Sequence, residues 1–72
     1  MQGATMDAVV HIGKNLKDAR FRAGLTQQEL ADNAGTTQTT VARIERDAVE
    51  PEVTTVRKLA AALGVSISDL LD

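Results

Sequence analysis

The sequence predicts an all-α fold, with five short helices packed into one compact domain. Three observations predict it. Apolar residues recur at spacings of three and four along most of the chain, the period of a helix face and not of a strand. Glycines at 24, 35 and 64 each close such a run, where a chain leaving a helix favours a left-handed residue. Thr26–Glu29 and Ser66–Asp69 have the spacing of capping boxes, which open helices.

The first helix follows from Val9, Ile12, Leu16, Ala19 and Ala23. Asp7 is suited to cap its start, Gly24 ends it, and residues 1–6 are expected to be a flexible N-terminus. The second helix opens on the Thr26–Glu29 box. Leu25 and Leu30 are placed as a hydrophobic staple, and Gly35 stops the helix after about two turns.

The stretch "GTTQTTVARIERD" is harder to read, because four of its residues at 36, 37, 39 and 40 are threonine and threonine is a poor helix former. Val41 and Ile44 are three apart, which contradicts the alternation of a strand. Thr37 suits an N-cap, and Gln38, Thr39 and Thr40 then form a first turn, where the threonine penalty is smallest. A third helix of about ten residues follows, with Val41 and Ile44 facing inward.

After "DAVEP" a fourth helix is expected from about Val53 to Leu63, with Val53, Val56, Leu59, Ala60 and Leu63 on one face and Gly64 at its end. Ser66 and Asp69 open a last short helix, "ISDLLD". Connections of about two to six residues make residues 7–72 a single domain.

Composition narrows the function. The chain has 72 residues and no cysteine, which removes disulfides and thiolate zinc sites. The single histidine, His11, has no cluster of ligands around it in sequence and is read as a partly exposed helix residue; no metal and no cofactor are expected. Phe21 is the sole aromatic, too few for base-stacking platforms. No apolar run is long enough to span a membrane. The opening "MQGATMDAV" lacks the pattern of a secretory signal, so the expected location is cytoplasmic. There is no nucleophile–base pair and no phosphate loop, so an enzyme is not expected. The net charge of −2, with a pI near 5.2, argues mildly against nucleic-acid binding.

Helices two and three, joined by a turn at Gly35, have the form of a helix-turn-helix at about residues 26–46. Ala31 gives room for the crossing, Gly35 permits positive φ, and Leu30, Val41 and Ile44 point into the core. With these features, "IGKNLKDAR", "GLTQQELA", "AGTTQTTVARIER" and "LAAALGVSISDLL" resemble the phage repressor and Cro family of DNA-binding domains, often called XRE. The resemblance runs from Ile12 to Leu71, and "GTTQTTV" resembles the recognition-helix start of certain lambdoid repressors.

The resemblance implies a lambda-repressor-like fold and a partner in double-stranded DNA. The third helix, about 38–46, would lie in the major groove. Gln38 then suits adenine N6 and N7, Thr39 suits a thymine methyl, and Arg43 suits guanine. On chemistry alone these three residues are equally a solvated helix face. Phosphate contacts are expected from the helix starts at Thr26, Gln27 and Gln28 and at Thr37 and Thr40, with Arg46 adding a charge. Arg20 is basic, but the resemblance implies a structural ion pair with Glu45. Lys14, Lys17, Arg22, Arg57 and Lys58 are read as solvated charges, and Gly13 as a point of close packing.

Two departures stand out. The family commonly ends its recognition helix with glycine, where this chain has Asp47. The following loop, basic in many relatives, here carries Asp47, Glu50 and Glu52. The expected function is a prokaryotic or phage transcription regulator, a repressor bound to its operator as a homodimer. Ile67, Leu70 and Leu71 outnumber the core positions that a last helix needs, so part of that surface is expected to pair with a second copy. An antitoxin that binds a toxin and its own operator has the same sequence features. The alternative is an adaptor of this fold that binds transcription machinery and not DNA, which the acidic loop favours.

Overall fold

The computed structural model describes residues 12–72 and is helical throughout, with no strand among those residues. The helices are α1 Ile12–Ala23, α2 Gln27–Ala34, α3 Gln38–Glu45, α4 Val53–Leu63 and α5 Ile67–Leu71. The expectations for residues 1–6, Asp7, Val9 and His11 lie outside the described residues.

Local chemistry sets these boundaries. The Thr26 and Ser66 hydroxyls accept from the backbone N–H of Glu29 and Asp69, whose carboxylates accept in return from the Thr26 and Ser66 N–H, so both capping boxes form. Thr37 caps α3 by accepting from the Thr40 N–H, which is how a threonine-rich segment begins a helix. Glu52 precedes α4 in extended backbone and makes no side-chain cap.

Four helix ends close in the same way. At Gly24, Gly35 and Gly64 the chain turns with φ between 71° and 73°, and at Asp47 with φ 59°. After α3, the Asp47 N–H donates to the Ile44 carbonyl and the Ala48 N–H to the Arg43 carbonyl, at 3.0 and 2.9 Å. These are the paired bonds of a Schellman motif. Aspartate therefore takes the left-handed place that glycine holds elsewhere.

α2 and α3 cross at the centre, with α1 and α4 on either side and α5 against α1 and α4. Leu16, Leu30, Val41, Ile44, Leu59 and Leu70 are completely buried or nearly so. Ala31 is also fully buried, consistent with its expected place at a helix crossing. Asn15 Nδ2 donates to the Leu70 carbonyl at 2.9 Å and ties α5 to α1.

Three details differ from the sequence reading. Ala23, the last residue of α1 before Gly24, is exposed. Val53, expected in the core, is 63% exposed and stands on the rim of an apolar cleft lined by Ile12, Pro51, Val56, Ile67 and Leu71. α3 has eight residues, not about ten, and Arg46 lies just beyond its last turn. Of the three apolar residues of α5, Leu70 is taken by the core, while Leu71 is 40% exposed.

Candidate nucleic-acid interface

The start of α3 projects from the domain. Gln38, Thr39 and Arg43 are all exposed, and Thr39 and Arg43 share a face by their spacing of four. Among the described residues Arg43 has no ion-pair partner. Behind this face, Val41 and Ile44 anchor α3 in the core with no exposed surface. The polar face and the anchor follow from one helical period.

The far end of α3 is held by a buried ion pair. Arg20 Nε donates to Glu45 Oε2 at 2.6 Å, and Arg20 Nη2 donates to Glu45 Oε1 at 3.0 Å. The remaining terminal nitrogen, Nη1, donates to the Leu25 carbonyl at 2.9 Å. The side chains are only 8% and 3% exposed. The Phe21 ring, itself 61% exposed, lies 4.7 Å from the guanidinium carbon and shields it as a cation–π partner. This is the pair that the resemblance implied.

The charges are matched. The hydrogen bond that Arg20 donates to Glu45 raises the Arg20 value above its ordinary one, against the opposing effect of burial. Burial alone would raise the Glu45 carboxyl. Hydrogen bonds from Arg20 and Gln27, with the charges of Arg20 and Lys17, outweigh it and hold Glu45 below the usual glutamate value. No buried side-chain polar atom among the described residues lacks a partner.

From Glu45 a line of hydrogen bonds runs back to the exposed end. Gln27 Nε2 donates to Glu45 Oε1 at 3.1 Å, and Gln38 Nε2 donates to Gln27 Oε1 at 3.2 Å. The Gln27 side chain therefore turns inward across the crossing, and its outward donor is its backbone N–H. Sequence reasoning missed this link. Its partners are 18 and 11 residues away, and no local pattern signals them.

Both helix starts present open donors. Thr26 and Thr37 are engaged as caps of Glu29 and Thr40. The N–H groups of Gln27 and Gln28 in α2, and of Gln38 and Thr39 in α3, belong to first turns that lack intrahelical acceptors. The Thr40 N–H is taken by Thr37 and its hydroxyl lies 3.0 Å from the Thr37 hydroxyl. The Gln28 side chain donates to Asp32 at 2.8 Å. Arg46 is exposed, as are Asp47, Glu50 and Glu52 in the loop beyond.

Gly13 explains how α1 meets α3 closely. A Cβ at this position would stand 2.6 Å from the Ile44 carbonyl oxygen and 3.0 Å from that of Glu45, and it would also strike the Asp47 carboxylate. The close packing expected of Gly13 is thus packing against the backbone at the end of α3.

Residues 16–70 match the family model described as Helix-turn-helix. The chain is 37% identical over 57 residues to the HTH-type transcriptional regulator PuuR of Escherichia coli, covering 79% of this chain and 31% of that one. It is 35% identical over 60 residues to the immunity repressor protein of Bacillus phage phi105, covering 83% and 42%. It thus spans less than half the length of either relative. The crystal structure of the restriction-modification controller protein C.AhdI from Aeromonas hydrophila superposes with a TM-score of 0.82 at 31% identity, covering 86% of this chain and 94% of that one.

Proposed function

The chain belongs to the helix-turn-helix family, and on that premise we propose that it is a sequence-specific, double-stranded DNA-binding regulator of transcription that represses by occupying its operator. The observation that carries this reading is the free polar face at the start of α3. Gln38, Thr39 and Arg43 are exposed on a helix whose opposite side is locked into the core. A helix so presented fits the major groove with its N-terminal residues at the base edges. The regulators and repressors among its relatives support the same reading.

In this arrangement Gln38 reads adenine, Arg43 reads guanine and Thr39 touches a thymine methyl. The starts of α2 and α3 hold phosphates through their open N–H groups at Gln27, Gln28, Gln38 and Thr39. The hydroxyls of Thr26, Thr37 and Thr40 border those sites, and Arg46 adds a positive charge beside the groove. Phosphate contacts fix register while the groove residues select sequence. An eight-residue helix reads few base pairs, so two copies bind a two-fold operator as a homodimer. Asp47, Glu50 and Glu52 repel the backbone and hold affinity down, most strongly at low salt.

Selection from a pool of random duplexes at low salt tests the proposal. A preferred sequence is expected, lost when Gln38 and Arg43 are both replaced by alanine. Equal retention of all duplexes would overturn the reading in favour of an adaptor, which keeps its protein partner through the same substitutions.

A further inference from the structure

We propose that Glu45, at the end of α3 remote from the groove, fixes the direction in which the Gln38 amide faces a base and so helps determine sequence specificity. The inference rests on the reading of Gln38 as a base-contacting residue. Glu45 touches no DNA in this scheme; it is a positioning residue acting through Gln27.

The argument is one of donors and acceptors. Arg20 only donates, and its two N–H groups on Glu45, at 2.6 and 3.0 Å, keep the carboxylate ionised. An ionised carboxylate only accepts. The Gln27 atom 3.1 Å from Glu45 Oε1 must therefore be the amide nitrogen, which turns the Gln27 carbonyl oxygen toward α3. That oxygen again only accepts, so the Gln38 atom 3.2 Å from it must be a nitrogen. Each assignment forces the next. At the end of the chain, Gln38 has one N–H engaged and presents its carbonyl oxygen and its other N–H outward.

An isolated exposed glutamine turns its amide over freely, and both orientations meet the groove. Here, turning Gln38 over sets its oxygen against the Gln27 oxygen, acceptor on acceptor. The fixed order of acceptor and donor complements the N6 donor and N7 acceptor of adenine. Guanine presents two acceptors, O6 and N7, and meets the outward oxygen unfavourably. A buried ion pair on one side of the domain thereby sets which purine is accepted at the other.

The duplex selected by the full chain is the probe. Gln38→Ala first locates the base pair at which purine discrimination depends on Gln38. Binding is then compared for that duplex and for its guanine counterpart. Gln27→Met keeps the Arg20–Glu45 pair but cuts the relay, and the adenine-to-guanine affinity ratio should fall about tenfold. In Glu45→Gln an amide nitrogen replaces one of the two acceptor oxygens, so the Oε1 position that takes both Arg20 Nη2 and Gln27 is no longer held as an acceptor. The order of the relay is then not enforced, and the ratio should fall, though less than in Gln27→Met. The double variant Gln27→Glu with Glu45→Gln restores an acceptor opposite Gln38, and the ratio should recover even where overall affinity drops. Thermal melts identify any variant that does not fold.

A merely structural Glu45 would lower affinity for both duplexes alike; an unchanged ratio in Gln27→Met and Glu45→Gln overturns the relay while leaving the base contact standing. A Gln38→Ala protein with the original discrimination at every position overturns the base contact itself.

Discussion

The two ends of α3 are built on opposite principles. The end at Glu45 is enclosed by the ion pair, by the backbone of α1 at Gly13 and by the Schellman closure at Asp47. The end at Gln38 has a cap and one side-chain link to α2, and is otherwise open to solvent. Stability is thus concentrated away from the residues proposed to read bases, which carry little of the fold. Such a division lets the exposed residues change with sequence preference while the helix keeps its place.

Substitutions along α3 and its seat should therefore grade from large losses of stability at the enclosed end to none at the open one. Arg20→Ala should have the largest effect. It leaves the Glu45 carboxylate buried and unpaired, at a cost of about 3 kcal/mol, and a melt followed by circular dichroism should show a fall of more than about 10 °C. A fall of only a degree or two would mean that the pair is not enclosed in solution.

Gly13→Ala comes next. Alanine has the better helix propensity, by about 1 kcal/mol, but its methyl would strike the Ile44 and Glu45 carbonyls, which are backbone and have little room to yield. The clash should win, with a net loss of about 2 kcal/mol in a denaturant titration. A stabilised Gly13→Ala protein would show that α1 and α3 lie farther apart than described.

A smaller effect is expected with pH. Glu45 is held below its ordinary value when folded, so its contribution is fully present above the unfolded glutamate value of about 4.3. It is lost as pH falls through the lowered folded value. Glu45→Gln, already less stable at neutral pH, should lose less on acidification than the parent chain. Parallel acid limbs in the two melting profiles would refute this.

At the open end, Gln38→Ala and Arg43→Ala should shift stability by no more than about 0.5 kcal/mol while weakening preferred-duplex binding in a gel-shift assay. If either unfolds the domain, the contrast between the two ends fails.

What could be read from the sequence followed the range of the interactions. The boxes at Thr26–Glu29 and Ser66–Asp69, the cap at Thr37 and the turn at Gly35 act over three or four residues, and the residue types alone announce them. The Arg20–Glu45 pair spans 25 residues and was accessible only through a family resemblance. The phosphate expectation for Gln27 rests on its place at a helix start and leaves its side chain unread; that the side chain bridges Glu45 and Gln38 depends on how α2 crosses α3, which no local pattern reports. Val53 has the right spacing for the core, yet α4 begins beyond the edge of its neighbours, and spacing does not report where a partner helix stops. Asp47 shows the converse. Its sequence breaks the expectation of glycine, while its backbone keeps the left-handed turn.

The missing side chain at position 13 also gives the domain a tuning point. α3 is about 12 Å long, with its deepest anchor near Ile44, so a change of a few tenths of an ångström in the spacing at Gly13 becomes a small tilt whose largest displacement is at Gln38. On the proposed reading, operator preference can then drift through a position on the first helix, and two chains with the same residues at 38, 39 and 43 need not recognise the same operator.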